Sequence, residues 1–318
     1  MKTKIVMIGS MLPFLTLPVS VIATDYTWNG SEDSLWTNEN NWDSPPPGGG
    51  FPQANTDTAA IPNSSINPVV NTNITVGTVR ITGNTATVTV GTSGSGTRDL
   101  LITDPDGLTI AAGATLIIQR QGVVEISGGG RATLDGTGMI EFTAGSGSAA
   151  TPGKLVISKH LVLGPRETSA TKILGTDPGI ITGGNDDTDE ANKNLLILSF
   201  GAQIRGLVTI EVNLINNGQV IADTAGSLIL TGTPKMGDGC WEVVEEDAVL
   251  VVNTPVTGSR CAVLIVSDGD GTLDINANWI SCGVAKLVKG TLDIASPVRF
   301  EMGKCSTIAG GSCTCEAQ

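Results

Sequence analysis

The strongest constraint on this chain is a short apolar pattern of period two that recurs along most of its length. Segments such as Thr78–Thr82, Ala86–Val90, Val208–Val212 and Thr291–Ile294 alternate Val, Ile, Leu or Ala with polar residues, and they are bounded by turn-forming residues. This alternation is typical of strands that bury one face. Since no window carries a convincing apolar stripe of period 3.6, the sequence predicts an all-β protein.

A recurring unit distinguishes a solenoid from a sandwich or a barrel, which many short strands would also allow. Gly113–Ile118, Asn217–Ile221 and Gly226–Leu230 each place a glycine and a small or polar residue before alternating apolar positions. Units that recur in this way are typical of coils that bury their inner faces against their neighbours. We therefore expect a right-handed, single-stranded parallel β-helix.

The cysteines indicate the length of a coil and a covalently stapled end. All of them follow residue 239, at Cys240, Cys261, Cys282, Cys305, Cys313 and Cys315. The first four are separated by 21, 21 and 23 residues, so a coil of about 21 residues would stack them at the strand spacing of about 4.8 Å, within reach of a disulfide. Six cysteines allow about 15 connectivities. We favour Cys240–Cys261 and Cys282–Cys305, with Cys313 and Cys315 closing the tail, although Cys261–Cys282 is equally spaced.

The first 23 residues have the layout of a secretory signal peptide. A basic start, Met1–Lys4, precedes an apolar run, Ile5–Leu17, and Val21–Ala23 supplies a cleavage site after Ala23. The apolar run is too short to span a bilayer and contains Pro13, and no later stretch reaches 18 apolar residues. We expect an exported chain with no membrane span after cleavage.

Charge and histidine content exclude several functional classes. With a net charge of −13, the chain has no basic surface for a phosphate backbone, so nucleic acid is not an expected partner. His160 is the single histidine, which excludes a multi-histidine metal site. No serine elbow or cysteine nucleophile accompanies it, so we interpret it as an ordinary strand residue and assign no catalytic residue. Zinc ligation by the cysteines is the alternative to disulfides, but it lacks a nearby histidine and a CxxC pair.

Three early tryptophans, Trp28, Trp36 and Trp42, lie in a segment rich in Asn, Ser and Asp. They could form a platform on which sugar rings stack. The apolar end of a solenoid must also be covered, and the coils carry few aromatic residues for a long carbohydrate cleft. We therefore expect the tryptophans to plug the N-terminal end.

The densest acidic cluster contains Asp186, Asp187 and Asp189. Their carboxylates are ligands that calcium prefers, and two of them could act as acid and base in a polysaccharide lyase or hydrolase, with Lys193 as the nearest basic group. A solvated loop between coils is the simpler interpretation. Asp104–Gly107 and Asp268–Gly271 resemble fragments of calcium loops, but neither continues to a bidentate glutamate, so we interpret both as turns.

The N-terminal segment resembles that of a family of exported bacterial β-helix surface proteins, autotransporter-passenger-like and planctomycete-type. The residues that carry the resemblance are Thr27-Trp28-Asn29-Gly30, Trp36, Asn40-Asn41-Trp42, Pro52 and Asp57-Thr58-Ala59-Ala60-Ile61-Pro62. The resemblance covers about 50 residues closely, and the rest of the chain is similar to the family only in the style of its repeats. The resemblance implies β-solenoid coils and a surface, adhesive or structural role.

The expected organisation is a signal peptide over residues 1–23, an N-terminal cap over 24–70, a parallel β-helix over 71–300 and a cysteine-containing tail over 301–318. The first functional hypothesis is a secreted, non-enzymatic cell-surface, matrix or adhesion component that binds itself or a surface polysaccharide. The alternative is a polysaccharide-active enzyme or a carbohydrate-binding module. Calcium is the one cofactor considered.

Overall fold

The computed structural model describes residues 23–43, 50–91, 96–128, 130–145, 151–164, 170–183, 194–258, 263–266 and 270–303. Within these residues the chain forms 31 strands and one short 3₁₀ helix, Glu39–Asn41, and no α-helix. The prediction of an all-β protein is therefore confirmed. Within the same residues, no helix is long and apolar enough to cross a bilayer. Almost all of the predicted signal peptide, residues 1–22, lies outside the description.

Most of the strands are short, with two to five residues each, and β16 and β18 are the exceptions. In chain order they are β1 (Asp25–Trp28), β2 (Trp42–Asp43), β3 (Thr58–Ile61), β4 (Val69–Val70), β5 (Ile74–Val76), β6 (Thr78–Ile81), β7 (Thr87–Val90), β8 (Arg98–Ile102), β9 (Leu108–Ile110), β10 (Thr115–Gln119), β11 (Gly122–Ile126), β12 (Gly130–Leu134), β13 (Met139–Thr143), β14 (Gly153–Ile157), β15 (His160–Leu163), β16 (Ala170–Gly183), β17 (Leu195–Leu198), β18 (Ala202–Ile210), β19 (Asn213–Asn216), β20 (Gln219–Ala222), β21 (Gly226–Leu230), β22 (Lys235–Met236), β23 (Cys240–Val243), β24 (Ala248–Val252), β25 (Val256–Gly258), β26 (Val263–Val266), β27 (Thr272–Ile275), β28 (Trp279–Ser281), β29 (Val284–Leu287), β30 (Thr291–Ile294) and β31 (Phe300–Met302).

The strands are arranged in three long parallel stacks. Stack 1 contains β1, β3, β6, β9, β12, β15, β17, β19, β22, β25, β28 and β31. Stack 2 contains β4, β7, β10, β13, β20, β23, β26 and β29, and stack 3 contains β5, β8, β11, β14, β21, β24, β27 and β30, while the longer β16 and β18 run through both. Successive strands visit the stacks in rotation, and every described pairing between strands is parallel except that of β1 with β2. This arrangement is compatible with a β-solenoid.

The core consists of aliphatic residues that repeat from one strand to the next. In stack 1, for example, Ile81 lies opposite Ile110 and Ile110 lies opposite Leu134, and all three are fully buried. Because side chains alternate between the two faces of a strand, in-register pairing places each inward residue on its counterpart in the next coil. The alternation that predicted the strands therefore also generates the core.

Offsets close to the predicted 21 residues occur in part of the chain, as in the 20 residues between Thr58 and its counterpart Thr78. Lys235 lies opposite Val256, and Trp279 lies opposite Phe300, each an offset of 21. Elsewhere the spacing is longer or shorter, as between His160 and its counterpart Leu195. The turns between strands differ in length and account for the different offsets, because the hydrogen bonds between strands constrain only the paired residues.

Cys240 does not lie in the register that the cysteine spacing predicted. Cys240 lies opposite Val263 rather than opposite Cys261, because three residues separate Met236 from Cys240 whereas five separate their partners, Thr257 and Val263. Cys240 and Cys282 are the described cysteines, and both are disulfide-bonded rather than free. Since the other four cysteines lie outside the described residues, no complete pair is described, and the connectivity stays a prediction.

The N-terminal end of the stacks is covered by the three tryptophans. Trp28, Trp36 and Trp42 are 1, 0 and 5% exposed. The ring of Trp42 contacts those of Trp28 and Trp36 edge to face, with centroids 5.0 and 4.8 Å apart. Each indole N–H donates to a carbonyl, of Ile66, Pro52 and Trp36 respectively. A buried ring face cannot stack on a sugar, so the arrangement fits a plug rather than a binding platform.

Two buried polar side chains hold the loops of this cap. The Asn41 amide accepts from the backbone N–H groups of Glu32 and Asp33 and donates to the Asp33 carboxylate. The Asp57 carboxylate accepts from the backbone N–H groups of Gln53 and Ala54. Parallel pairing already begins where β1 meets β3, so stack 1 starts inside the segment that the sequence assigned to the cap.

Two fully buried lysines bind the backbone at turns between coils. The Lys235 ammonium donates to the carbonyls of Val212, Thr231 and Thr233 at 2.8, 2.7 and 2.5 Å. Lys172 donates to the carbonyls of Leu134 and Gly136, both at 2.7 Å. Burial lowers the pKa of Lys235 from its usual 10.5 to about 7, partly opposed by Glu211. The ammonium groups satisfy carbonyls that would otherwise be buried without a partner.

We expect Trp36→Ala to lower the free energy of unfolding by about 3–5 kcal/mol, since it removes a fully buried indole from the cap. Leu35→Ala is the matched control, because Leu35 is 41% exposed and should cost less than about 1 kcal/mol. Urea denaturation followed by far-ultraviolet circular dichroism measures both. Equal losses in the two variants would show that the cap adds no specific stabilisation.

We expect Lys235→Met to destabilise the protein by about 2 kcal/mol or more, because three buried carbonyls lose their donor. Because burial lowers the pKa of Lys235 to about 7, the unfolded chain binds more protons than the folded chain between pH 7 and the usual lysine pKa. The stability of the native protein relative to Lys235→Met should therefore rise with pH over that window. Lys286→Met, at an exposed position, is the control. Denaturation at several pH values measures the difference, and a pH-independent difference contradicts the prediction.

Candidate functional site

A shallow groove with a volume of about 560 Å³ opens on the outer face of stack 1. Its lining combines aliphatic, aromatic, amide, hydroxyl and guanidinium groups. The lining residues are Arg131, Val162, Ile197, Ser199, Phe200 and Asn217. Among the lining residues that the structure describes there is no carboxylate and no histidine.

The register of stack 1 positions the floor of the groove. Arg131 in β12 lies opposite Val162 in β15, and Val162 lies opposite Ile197 in β17. Their neighbours Ala132, Leu163 and Leu198 are fully or almost fully buried, so alternation directs the floor residues outward. These side chains are brought together from sequence-distant coils by parallel pairing alone.

Two turns supply the remaining walls. Phe200 follows β17 in a turn that the Ala202 N–H closes by donating to the Ser199 carbonyl at 3.0 Å. Asn217 follows β19, and its N–H donates to the Leu198 carbonyl at 2.8 Å. Phe200 is 68% exposed. A phenyl ring held by a turn and left in solvent is available to pack against a ligand.

Arg131 is held by its neighbours at the edge of the groove. Its guanidinium donates to the Gly164 carbonyl at 2.8 Å, and its backbone N–H donates to the Asp106 carboxylate. The remaining guanidinium N–H groups are donors available to hydroxyl or carboxylate oxygens of a ligand.

The groove continues as a longer row, mostly apolar, which we call the outer ladder. It comprises the residues that follow one another in register on the outer face of stack 1, namely Arg131, Val162, Ile197, Ile215, Met236, Thr257, Ile280 and Glu301. At the strand spacing the row is about 34 Å long. Met236 and Ile280 are 50 and 37% exposed. Polar residues usually occupy the outer face of such a sheet, so this row is a candidate contact surface.

The predicted calcium ligands are not tested. Asp186, Asp187 and Asp189 lie outside the described residues, and within the described part of the chain no three of His, Cys, Asp or Glu are grouped as metal ligands. Asp104 and Asp106 lie in a turn, as expected: the Gly107 N–H donates to the Asp104 carbonyl, and Asp106 has a φ of +57°.

His160 is the first residue of β15, half-buried and opposite Leu195, as expected for an ordinary strand residue. Sequence analysis missed Phe200 and the outer ladder. A weak signal was present, since Phe200 stands next to Gly201 in a turn of a chain with 3% aromatic residues. The ladder gives no such signal, because its residues are far apart in sequence and become neighbours only through the register between strands.

Comparison of the chain with known protein families, with curated proteins and with solved structures gives no match.

Proposed function

We propose that this protein is a secreted, non-enzymatic parallel β-helix that acts as a cell-surface, matrix or adhesion component. The three parallel stacks, visited in rotation, support the solenoid. Right-handed coils are proposed because connections between parallel strands are right-handed in about 98% of cases. The resemblance of residues 27–62 to exported bacterial β-helix surface proteins, and the signal-peptide layout of residues 1–23, support export.

The observation that carries the proposed role is the outer ladder. Its apolar members Val162, Ile197, Ile215 and Met236 follow one another in register. Met236 and Ile280 are exposed, so part of the row offers an apolar surface to a partner. A surface of this kind is suited to holding a partner rather than to transforming it, since the chemistry of cleavage needs a positioned acid and base. Disulfides between neighbouring coils, with Cys240–Cys261 and Cys282–Cys305 as the proposed pairs, would resist fraying outside the cell.

The partner we propose is a cell-surface polysaccharide, bound at the groove. The exposed Phe200 ring offers a stacking surface for a sugar ring, and Asn217, Ser199 and Arg131 offer hydrogen-bonding groups at its edges. Of the two parts of the alternative hypothesis, this combination of groups favours a carbohydrate-binding module over a polysaccharide-active enzyme. The calcium-dependent enzyme with Asp186, Asp187 and Asp189 at its site stays a prediction.

We expect Phe200→Ala to weaken binding of the full chain to an insoluble surface polysaccharide by about 5- to 30-fold, the loss typical of an exposed aromatic anchor. Leu35→Ala, at another exposed apolar position, is the matched control and should bind normally. Co-sedimentation across a panel of neutral and acidic polysaccharides, with and without calcium, measures both.

Binding that is unchanged in Phe200→Ala would overturn the groove as the binding site. Calcium-dependent shortening of the polysaccharide, lost on replacing the three aspartates, would favour the enzyme instead. Negative-stain electron microscopy of the same samples adds the assembly state, because filaments or sheets would make self-association the main role.

A further inference from the structure

The charge of the groove differs from that of the chain as a whole. The chain has 31 acidic and 18 basic residues, yet among the described residues that line the groove Arg131 is the one charged side chain. Within the described part of the chain, three arginines form ion pairs, as Arg120 does with Asp177 at 2.6 Å, but Arg131 is not among them. The Asp106 carboxylate accepts from the backbone N–H of Arg131 instead of from its guanidinium. The groove therefore presents a positive charge that no described carboxylate neutralises by direct contact.

Two turns that touch each other hold Arg131 and Phe200 at the same groove. The Arg131 guanidinium donates to the Gly164 carbonyl at 2.8 Å. Gly164 has a φ of +90° and packs so closely on Ala202 that a Cβ added to it would lie 3.2 Å from the Ala202 Cβ. The Ala202 N–H donates to the Ser199 carbonyl and closes the turn that carries Phe200. A planar cation and an exposed aromatic ring are thus fixed in adjacent walls.

The guanidinium of Arg131 keeps donors for a ligand. Its Nη2 makes the bond to the Gly164 carbonyl, so the N–H groups on Nε and Nη1 remain for a partner in the groove. A carboxylate matches this planar fork, because its two oxygens accept two parallel hydrogen bonds from it. Bonds between two charged groups are roughly twice as strong as those between neutral groups. The hydroxyl of a neutral sugar offers neither the charge nor the second oxygen.

The size and the polar groups of the groove fit a sugar unit that carries a carboxylate. The volume of about 560 Å³ lies within the range of small-molecule sites, about 300–1,000 Å³. Phe200 offers a face for the sugar ring, while Asn217 and Ser199 offer hydrogen-bonding groups for its hydroxyls. Charges are screened over about 8 Å at physiological ionic strength, so acidic residues elsewhere on the surface oppose the contact only weakly.

We propose that the groove selects an acidic sugar, so that the polysaccharide it binds is a carboxylated one that contains uronic acids. The sugar ring packs on Phe200, and its carboxylate accepts two parallel hydrogen bonds from Arg131. This inference rests on the proposed binding of a polysaccharide at the groove, and it adds the charge class of the ligand and the residue that recognises it.

The test uses pairs of polysaccharides that differ in charge. Polygalacturonate, alginate and hyaluronan are each compared with the same polymer after its carboxyl groups have been reduced to primary alcohols, which leaves the glycan chain neutral. Dextran sulfate and dextran form a fourth pair, in which the charge belongs to a sulfate ester. The full chain is titrated with each polymer, and the two dissociation constants of each pair are compared.

Four variants separate the effect of Arg131 from those of net charge and of the groove as a whole. Arg131→Gln removes the charge, and Arg131→Lys keeps the charge but not the planar fork. Arg80→Gln is the matched control, because Arg80 is also exposed on the outer face of stack 1. It lies in β6, two strands from β12 and thus about 10 Å along the stack. Phe200→Ala reports on binding of the sugar ring.

We expect the native chain to bind the carboxylated member of at least one pair at least about fivefold more tightly than its neutral member. Arg131→Gln should abolish this preference and leave the affinity for the neutral member unchanged. Arg131→Lys should keep only part of the preference, and Arg80→Gln should keep all of it. Phe200→Ala should weaken binding of both members alike.

Equal affinity of the native chain for both members of every carboxylated pair would overturn the selection of an acidic sugar. If Phe200→Ala still weakened both, the proposed polysaccharide binding would stand. A preference confined to dextran sulfate would also overturn it, as would equal loss of preference in Arg80→Gln and Arg131→Gln, or equal weakening of both members by Arg131→Gln. Absence of binding to all the polymers would overturn the proposed polysaccharide binding and this inference with it.

Discussion

Parallel pairing in register between successive coils is the constraint on which the rest of the structure depends. Each strand inside a stack is hydrogen-bonded to its two neighbours in that stack, and the strands at the ends of a stack are bonded to one. Because side chains alternate at period two, this register fixes which residues face the core and which form rows on the surface. The buried column through Ile81, Ile110 and Leu134 and the exposed outer ladder are two results of the same pairing.

The all-β nature and many strand positions could be predicted because alternation is a local signal. β6, β7 and β30, for example, lie within segments that the pattern indicated. The register between coils could not be predicted from the cysteine spacing, as the pairing of Cys240 with Val263 shows. Register depends on turn lengths, and a turn of variable length carries no periodic signal.

The candidate site was hidden for the same reason. Val162 and Ile197 are paired neighbours in the structure. This pairing could be predicted only if the length of the connection between β15 and β17 were known. Polar residues inside the fold are also difficult to predict. Lys172 and Lys235 lie in ordinary-looking segments, and their complete burial depends in part on carbonyls distant in sequence, those of Leu134 and Val212. The burial of the three tryptophans, Trp28, Trp36 and Trp42, was easier to predict. Large apolar side chains beside an open end of the core have few other places to pack.

The carbonyl oxygens around Lys235 have a consequence for how the protein responds to its surroundings. Three oxygens converging on one positive group resemble the shell that a protein offers to a bound cation. Here the charge is tethered to the chain, so its effective concentration does not depend on the medium. A free ion contributes stability only in proportion to its supply, and chelators or dilution remove it. At this turn the fold therefore needs no bound ion, and its stability depends instead on the protonation of Lys235.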